Sequence, residues 1–195
     1  MNKVRHIIGG SDGWLRIKLE PVGEIVSVPE YLQVAFDESV GGRDHFTVLE
    51  GVQKGKRASV TAGNLTPGPV PLRKAARLVF EKNKGVLLCG DLKLHAITAP
   101  HNEIPDGSHP IQIPDFPHQG GRGYMTDSKY AKSWFFLGSG DAIGGLLGRD
   151  RYLHTGMISA GCVTVDPPDW TAVYEYLIRC RSNDGRTVGT LVVRK

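Results

Sequence analysis

The sequence predicts a mostly β protein, on three observations. Its 12 prolines and 25 glycines stand among plentiful Val, Ile and Leu; its apolar runs are short and bounded by Gly, Asp or Pro; and a single stretch carries a helical face. At 195 residues the chain suits one large domain, or a medium one with a small companion, and a hydrophobic content of 40% is enough for a core without disulfide staples.

Residues 14 to 60 read as a small antiparallel unit, because WLRIKLE, EIVSVPEYLQVAF, HFTVLEG and RASVTAG are strand-like runs separated by turn formers. NLTPGPVPLRK follows. Pro67, Pro69 and Pro71 cannot sustain a ladder or a helix, so a boundary is predicted near residue 75, dividing a β-rich unit over 1–75 from a second domain over 76–195. ARLVFEKNKGVLLCGDLKLHAITAP then gives a strand, a turn at Asn83 to Gly85 and two more strands, with Cys89 a buried, inert thiol.

HNEIPDGSHPIQIPDFPHQGGRGY is crowded with proline and glycine, and SKYAKSWFFLGSGDAIGGLLGRD carries five glycines between Gly138 and Gly148. The latter lacks the Lys-Ser/Thr ending of a phosphate cradle and reads instead as a flap beside a site. VDPPDWTAVYEYLIRC supplies the helix: Asp166 is placed to cap it, Pro167 suits its first position, and Trp170, Val173, Tyr174 and Leu177 share one face. SNDGRTVGTLVVRK closes the chain with a turn at Asp184-Gly185 and a last strand.

Several function classes are disfavoured. The net charge is +4, but the cations are spread without a run of five, so no nucleic-acid partner is expected. No run of about eighteen apolar residues occurs, so no membrane span is expected. The N-terminus lacks a secretory apolar segment, which predicts a protein cytoplasmic as made, with export by a dedicated system left open. Cys89, Cys162 and Cys180 make an odd number without a C-x-x-C pair. A disulfide framework is not expected; neither is a zinc site, since His95, His101, His109 and His118 lack ligand spacing, and no cofactor is implied. Glu103, Asp106 and Asp115 read as solvated loop carboxylates.

The stretch YLHTGMISAGCVTV places His154 eight positions before Cys162. A nucleophilic cysteine works as the thiolate, and an imidazole brought beside it takes the proton; such an ion pair lowers the thiol pKa. Fully extended, the gap would span roughly 26 Å, so contact needs the chain to fold back through GMISAG, where Gly156 and Gly161 permit unusual backbone angles. Taken bare, the pattern is weak, and a buried cysteine near a satisfied histidine explains it better.

SAGCVTV resembles the S-x-G-C core of the L,D-transpeptidase catalytic domain, the YkuD-like fold, which is likewise preceded by a histidine, and AITAPHNEIPDGSHPIQI is similar to that family's T-P-x-G loop between strands. The resemblance spans residues 77 to 195. It implies a β-sandwich-like catalytic domain whose cysteine attacks a peptide carbonyl at a D-amino-acid centre in peptidoglycan stem peptides or muropeptides, forming an acyl-enzyme. Carried across, Cys162 is the nucleophile and His154 its base, while Ser159 and Gly161 shape the pocket and oxyanion hole. Tyr124 either lines the cleft or belongs to the rim of the core.

Two positions depart from the family pattern: Ala160 stands where many members have histidine, and no cation follows Cys162. The short His-to-Cys gap is nearer the compact forms, which include carboxypeptidases and secreted antibacterial toxins. The activity is expected to be that of an L,D-carboxypeptidase or an L,D-transpeptidase, with hydrolysis dominant, because a protein cytoplasmic as made meets soluble muropeptides with water as the abundant acceptor and lacks a cation after Cys162 to hold a second stem. Two alternatives remain: a wall- or protein-binding module without turnover, and an exported antibacterial effector.

Overall fold

Short alternating runs punctuated by glycine and proline become sixteen strands and one α-helix among the residues that this computed structural model describes, 3–139 and 150–195. The first six strands are β1 (Lys3–His6), β2 (Trp14–Glu20), β3 (Ile25–Pro29), β4 (Gln33–Val40), β5 (Arg43–Val48) and β6 (Arg57–Thr61). They form one antiparallel sheet in the order β1-β4-β5-β6-β2-β3. EIVSVPEYLQVAF, expected as a single run, breaks into β3 and β4 at Tyr31, which takes a left-handed φ of 60°.

Beyond residue 75 the strands are β8 (Ala76–Glu81), β9 (Val86–Cys89), β10 (Leu92–Ile97), β11 (Gly107–Gln112), β12 (Phe135–Ser139), β13 (Asp150–Thr155), β14 (Val163–Val165) and β16 (Thr187–Arg194). They build an eight-stranded sheet in the order β11-β16-β8-β9-β10-β14-β13-β12. Its edge strands β11 and β12 come back against each other, so the sheet curls almost closed. Pro110 sits on edge strand β11, where a missing N–H costs no ladder bond. Two very short strands, β7 (Arg73–Lys74) and β15 (Cys180–Arg181), pair in parallel and tie the proline-rich connection to the end of the helix.

The helix α1 (Trp170–Leu177) buries Trp170, Val173, Tyr174 and Leu177, the predicted face. Its start differs from expectation. Pro167 opens a 3-10 turn, and Asp166 makes no capping bond; its carboxylate lies 3.0 Å from His95 Nδ1 instead. The glycine-rich segment read as a flap lies, from residue 140 to residue 149, outside the described residues. Buried apolar side chains of both large sheets, from Ile7 to Val193, belong to one continuous core. No helix among the described residues is long and apolar enough to cross a membrane.

Across the junction runs a buried ion pair. Arg181 Nε donates to both oxygens of Glu50 at 3.0 and 2.9 Å, with both side chains almost wholly buried. The rest of the guanidinium donates to the carbonyls of Ile178, Cys180 and Tyr31, and Glu50 also accepts from the Gln33 N–H. Each charge is thus saturated with partners, as burial requires.

Candidate functional site

β13 and β14 are neighbours in parallel, with His154 level with Thr164 and Leu153 level with Val163. The loop between them folds the chain back, as the spacing of the histidine and cysteine demanded. Continuing that register sets Tyr152 level with Cys162, and residues two apart on a strand share a face, so His154 and Cys162 occupy successive rungs of one face.

His154 is 7% exposed. Its Nδ1 lies 2.7 Å from the Thr155 carbonyl, which can only accept, so Nδ1 carries the proton of the neutral ring and Nε2 is the basic nitrogen. Nε2 faces the Thr164 hydroxyl at 3.2 Å. Cys162 is half-buried, and its Sγ accepts the Tyr152 backbone N–H at 3.3 Å. Among the described residues no hydrogen bond joins His154 to Cys162; each functional atom has another partner at rest.

The electrostatics follow from burial. His154 is pushed down to about 4, chiefly because burial penalises the imidazolium, with its bond to the Thr155 carbonyl opposing and His118 adding to the fall. Burial raises the Cys162 thiol above its ordinary value, opposed by the Tyr152 N–H and the Arg151 guanidinium. At rest both groups are therefore favoured in their neutral forms, not as the ion pair expected from sequence.

A pH dependence follows. Because the folded-state value of about 4 lies below the ordinary 6.5, the unfolded chain takes up a proton at His154 that the folded chain refuses; stability is lost as pH falls through that window. The shift corresponds to about 3 kcal/mol. Denaturant unfolding of wild type and His154→Gln at several pH values should show the wild type losing about that much more between pH 6.5 and 4. Parallel curves would contradict the burial argument.

The turn before Cys162 is held both by Ser159 beside it and by residues distant in sequence. Ser159 Oγ donates to the Cys162 carbonyl at 2.8 Å and accepts the Gly161 N–H at 3.3 Å, so Ser159 shapes the turn rather than presenting a free hydroxyl to the pocket. Gly161 has a φ of +118°, and a Cβ there would lie 2.7 Å from the Asn102 carbonyl oxygen, so only glycine fits. Arg151 donates to the carbonyls of Gly161 and Asn102 and, at 3.0 Å, to Asn102 Oδ1, while Asn102 Nδ2 donates to the Ala160 carbonyl at 2.9 Å. Tyr124 stands beyond the other end of the loop, its hydroxyl accepting the Met157 N–H at 3.2 Å.

Arg151 and Asn102 were not legible as site residues. Arg151 lies three positions before His154, on β13, and its guanidinium opposes the burial-driven rise of the Cys162 thiol. Arg151→Lys keeps a charge but not the planar fork, so Cys162 should alkylate more slowly at a fixed pH near 8, by about 3- to 10-fold, with a larger loss in Arg151→Ala. Timed iodoacetamide labelling reads this directly, and an unchanged rate in Arg151→Ala would show the guanidinium to be irrelevant to the thiol.

Asp115, expected as a solvated carboxylate, is half-buried and lies 2.9 Å from His118 Nε2, while its other oxygen accepts the Tyr152 hydroxyl at 3.2 Å. Glu103 and Asp106 are also engaged, both as ion-pair partners of Lys82. Among the described residues, no group of three or more His, Cys, Asp or Glu is placed to hold a metal ion.

No protein-family model matches this chain, and no curated protein does. Among solved structures it is similar to an L,D-transpeptidase from Mycobacterium tuberculosis H37Rv, with a TM-score of 0.39 and 12% identity over 92% of this chain and 76% of that one. It is also similar to L,D-transpeptidase 1 of Mycobacterium tuberculosis, with a TM-score of 0.36 and 11% identity over 92% of this chain and 82% of that one.

Proposed function

We propose that this protein is a cysteine-dependent acyl-transfer enzyme acting on peptidoglycan stem peptides, with Cys162 as nucleophile, His154 as base and water as the main acceptor, that is, an L,D-carboxypeptidase. The supporting observation is the parallel pairing of β13 and β14, which sets a buried imidazole of fixed tautomer one rung from a thiol whose turn is clamped from two sides. The S-x-G-C resemblance supplies the substrate class.

In the proposed reaction His154 Nε2 leaves the Thr164 hydroxyl and takes the thiol proton as Sγ bonds to the carbonyl carbon preceding the terminal D-amino acid. The oxyanion is met by backbone N–H groups of the turn before Cys162; that of Gly161 makes only a long bond, 3.3 Å, to Ser159 Oγ and can share its proton with the oxyanion. The C–N bond breaks, and the leaving amine takes the proton from Nε2. Water then attacks the thioester and gives one proton to Nε2; the C–S bond breaks, Nε2 returns that proton to Sγ, and the shortened stem leaves as a carboxylic acid that ionises to solvent. Hydrolysis is favoured because the fork of Arg151 is occupied by Asn102 and the Gly161 carbonyl, so it has little left to hold the carboxylate of a second stem.

The test supplies purified protein with tetrapeptide stems, with and without excess D-amino acid, and separates the products by mass. Released D-alanine should exceed exchanged product. Predominant exchange or cross-linked dimer would overturn the carboxypeptidase assignment, and absence of both turnover and a covalent carbapenem adduct would leave a binding module.

A further inference from the structure

Beside the nucleophile and base lies a ladder of rings that the reaction as drawn does not use. Trp134 stacks with His154 at a centroid distance of 4.3 Å and 23°, and with His118 at 4.5 Å and 6°. Phe116 stacks with His118 in turn, at 4.3 Å. Each rung is pinned by something other than stacking. The indole N–H of Trp134 donates to the Ala131 carbonyl at 3.0 Å, and its benzo edge lies where a Cβ on Gly120 would be, within 2.8 Å. The backbone N–H of His118 donates to the Lys132 carbonyl at 2.8 Å, and its Nε2 meets Asp115. Asp115 sits in PDFPH, between two prolines that stiffen the loop.

The same carboxylate closes a circuit. Its second oxygen accepts the hydroxyl of Tyr152, whose own backbone N–H donates to Cys162 Sγ, and the Tyr152 ring packs edge-on against both His118 and Trp134. Asp115 is thus linked to the base through two rings and to the nucleophile through one residue. The imidazole of His154 has hydrogen-bond partners in its plane, at Thr155 and Thr164, and needs a flat neighbour to keep that plane from tilting when Nε2 gives up Thr164. A tilted base loses the alignment on which proton transfer depends.

We propose that Trp134, His118 and Asp115 are positioning residues for the base: a carboxylate-anchored stack that fixes the plane of the His154 imidazole and couples it to the strand carrying the Cys162 contact. The inference rests on the acyl-transfer reading of the site.

Two measurements test it, on the whole chain. The first needs no substrate: the carbon-bound proton of His154 between its ring nitrogens, resolved by NMR at pH 8, lies upfield in the ring current of Trp134. In His118→Ala, which removes the ring stacked behind Trp134 but leaves its bond to the Ala131 carbonyl, this resonance should shift downfield or broaden. An unchanged resonance overturns the proposal. The second compares turnover of tetrapeptide stems. Trp134→Leu and His118→Ala should lower kcat by about 10- to 100-fold with KM within about twofold, and Trp134→Phe, which keeps a flat ring, should restore most of it. Equal losses in Trp134→Phe and Trp134→Leu, or a loss carried by KM, would overturn it. Should wild type turn over no stem, the acyl-transfer reading fails by itself, and the NMR comparison still decides whether the stack orients the histidine.

Discussion

Cys162→Ala is expected to lower turnover of tetrapeptide stems by on the order of 10⁴-fold or more, because in the proposed reaction both covalent steps pass through its sulfur and loss of a nucleophile removes the unit's whole contribution. Little stability should go with it: the side chain is half-buried, and its sulfur accepts only a backbone N–H among the described residues. Cys89 and Cys180 supply the controls. Cys89 is wholly buried, and burial pushes its thiol up to about 12, far from a usable nucleophile. Cys180 is 1% exposed, and its thiol donates to the Tyr176 carbonyl at 3.3 Å. Cys89→Ala and Cys180→Ser should keep turnover at temperatures where they remain folded. Kinetics and thermal melts of the three variants, run side by side, check this; equal loss in all three would mark the effect of Cys162 as structural.

Glu50→Ala is expected to destabilise the protein by about 3–5 kcal/mol, since it strands the Arg181 guanidinium without its counter-charge where that side chain is 3% exposed. For a chain of this length the melting temperature should fall by on the order of 10 °C. The consequence reaches both sheets, because Arg181 also holds the carbonyl of Tyr31, the residue of left-handed φ that separates β3 from β4. Replacing both charges together, as Glu50→Leu with Arg181→Met, should cost clearly less than Glu50→Ala alone, because no unpaired charge is left inside. Thermal and denaturant melts of the single and double variants read the difference. A double variant as unstable as the sum of its singles would mean that the pair contributes through independent packing rather than through mutual neutralisation.

Local pattern carried much of the architecture. The strands around WLRIKLE, HFTVLEG and RASVTAG, the hairpin through Asn83 to Gly85, the buried face of Trp170, Val173, Tyr174 and Leu177, and the inert Cys89 are all set by alternation, turn residues and apolar spacing within a few positions. The rest depends on partners far along the chain. Arg151 reaches Asn102 across 49 residues, and the Asp115–Tyr152 bond spans 37, so nothing near either residue announces it. Asp166 stands where a helix cap belongs, yet pairs with His95, 71 positions away. The candidate pair itself was half legible: the glycines show that the chain can fold back between His154 and Cys162, but not that burial leaves both groups neutral, which only the packed surroundings decide.

In the proposed reaction Cys162 carries an acyl group. Protein mixed with a tetrapeptide stem, quenched in acid within the first turnovers, digested and mapped by mass should show a thioester on the peptide that contains Cys162 and on no other, with the mass of the stem less its terminal D-amino acid. The adduct should be absent in Cys162→Ala and should form far more slowly in His154→Ala. Stem cleavage that proceeds in Cys162→Ala, or an adduct on any other residue, would contradict the account.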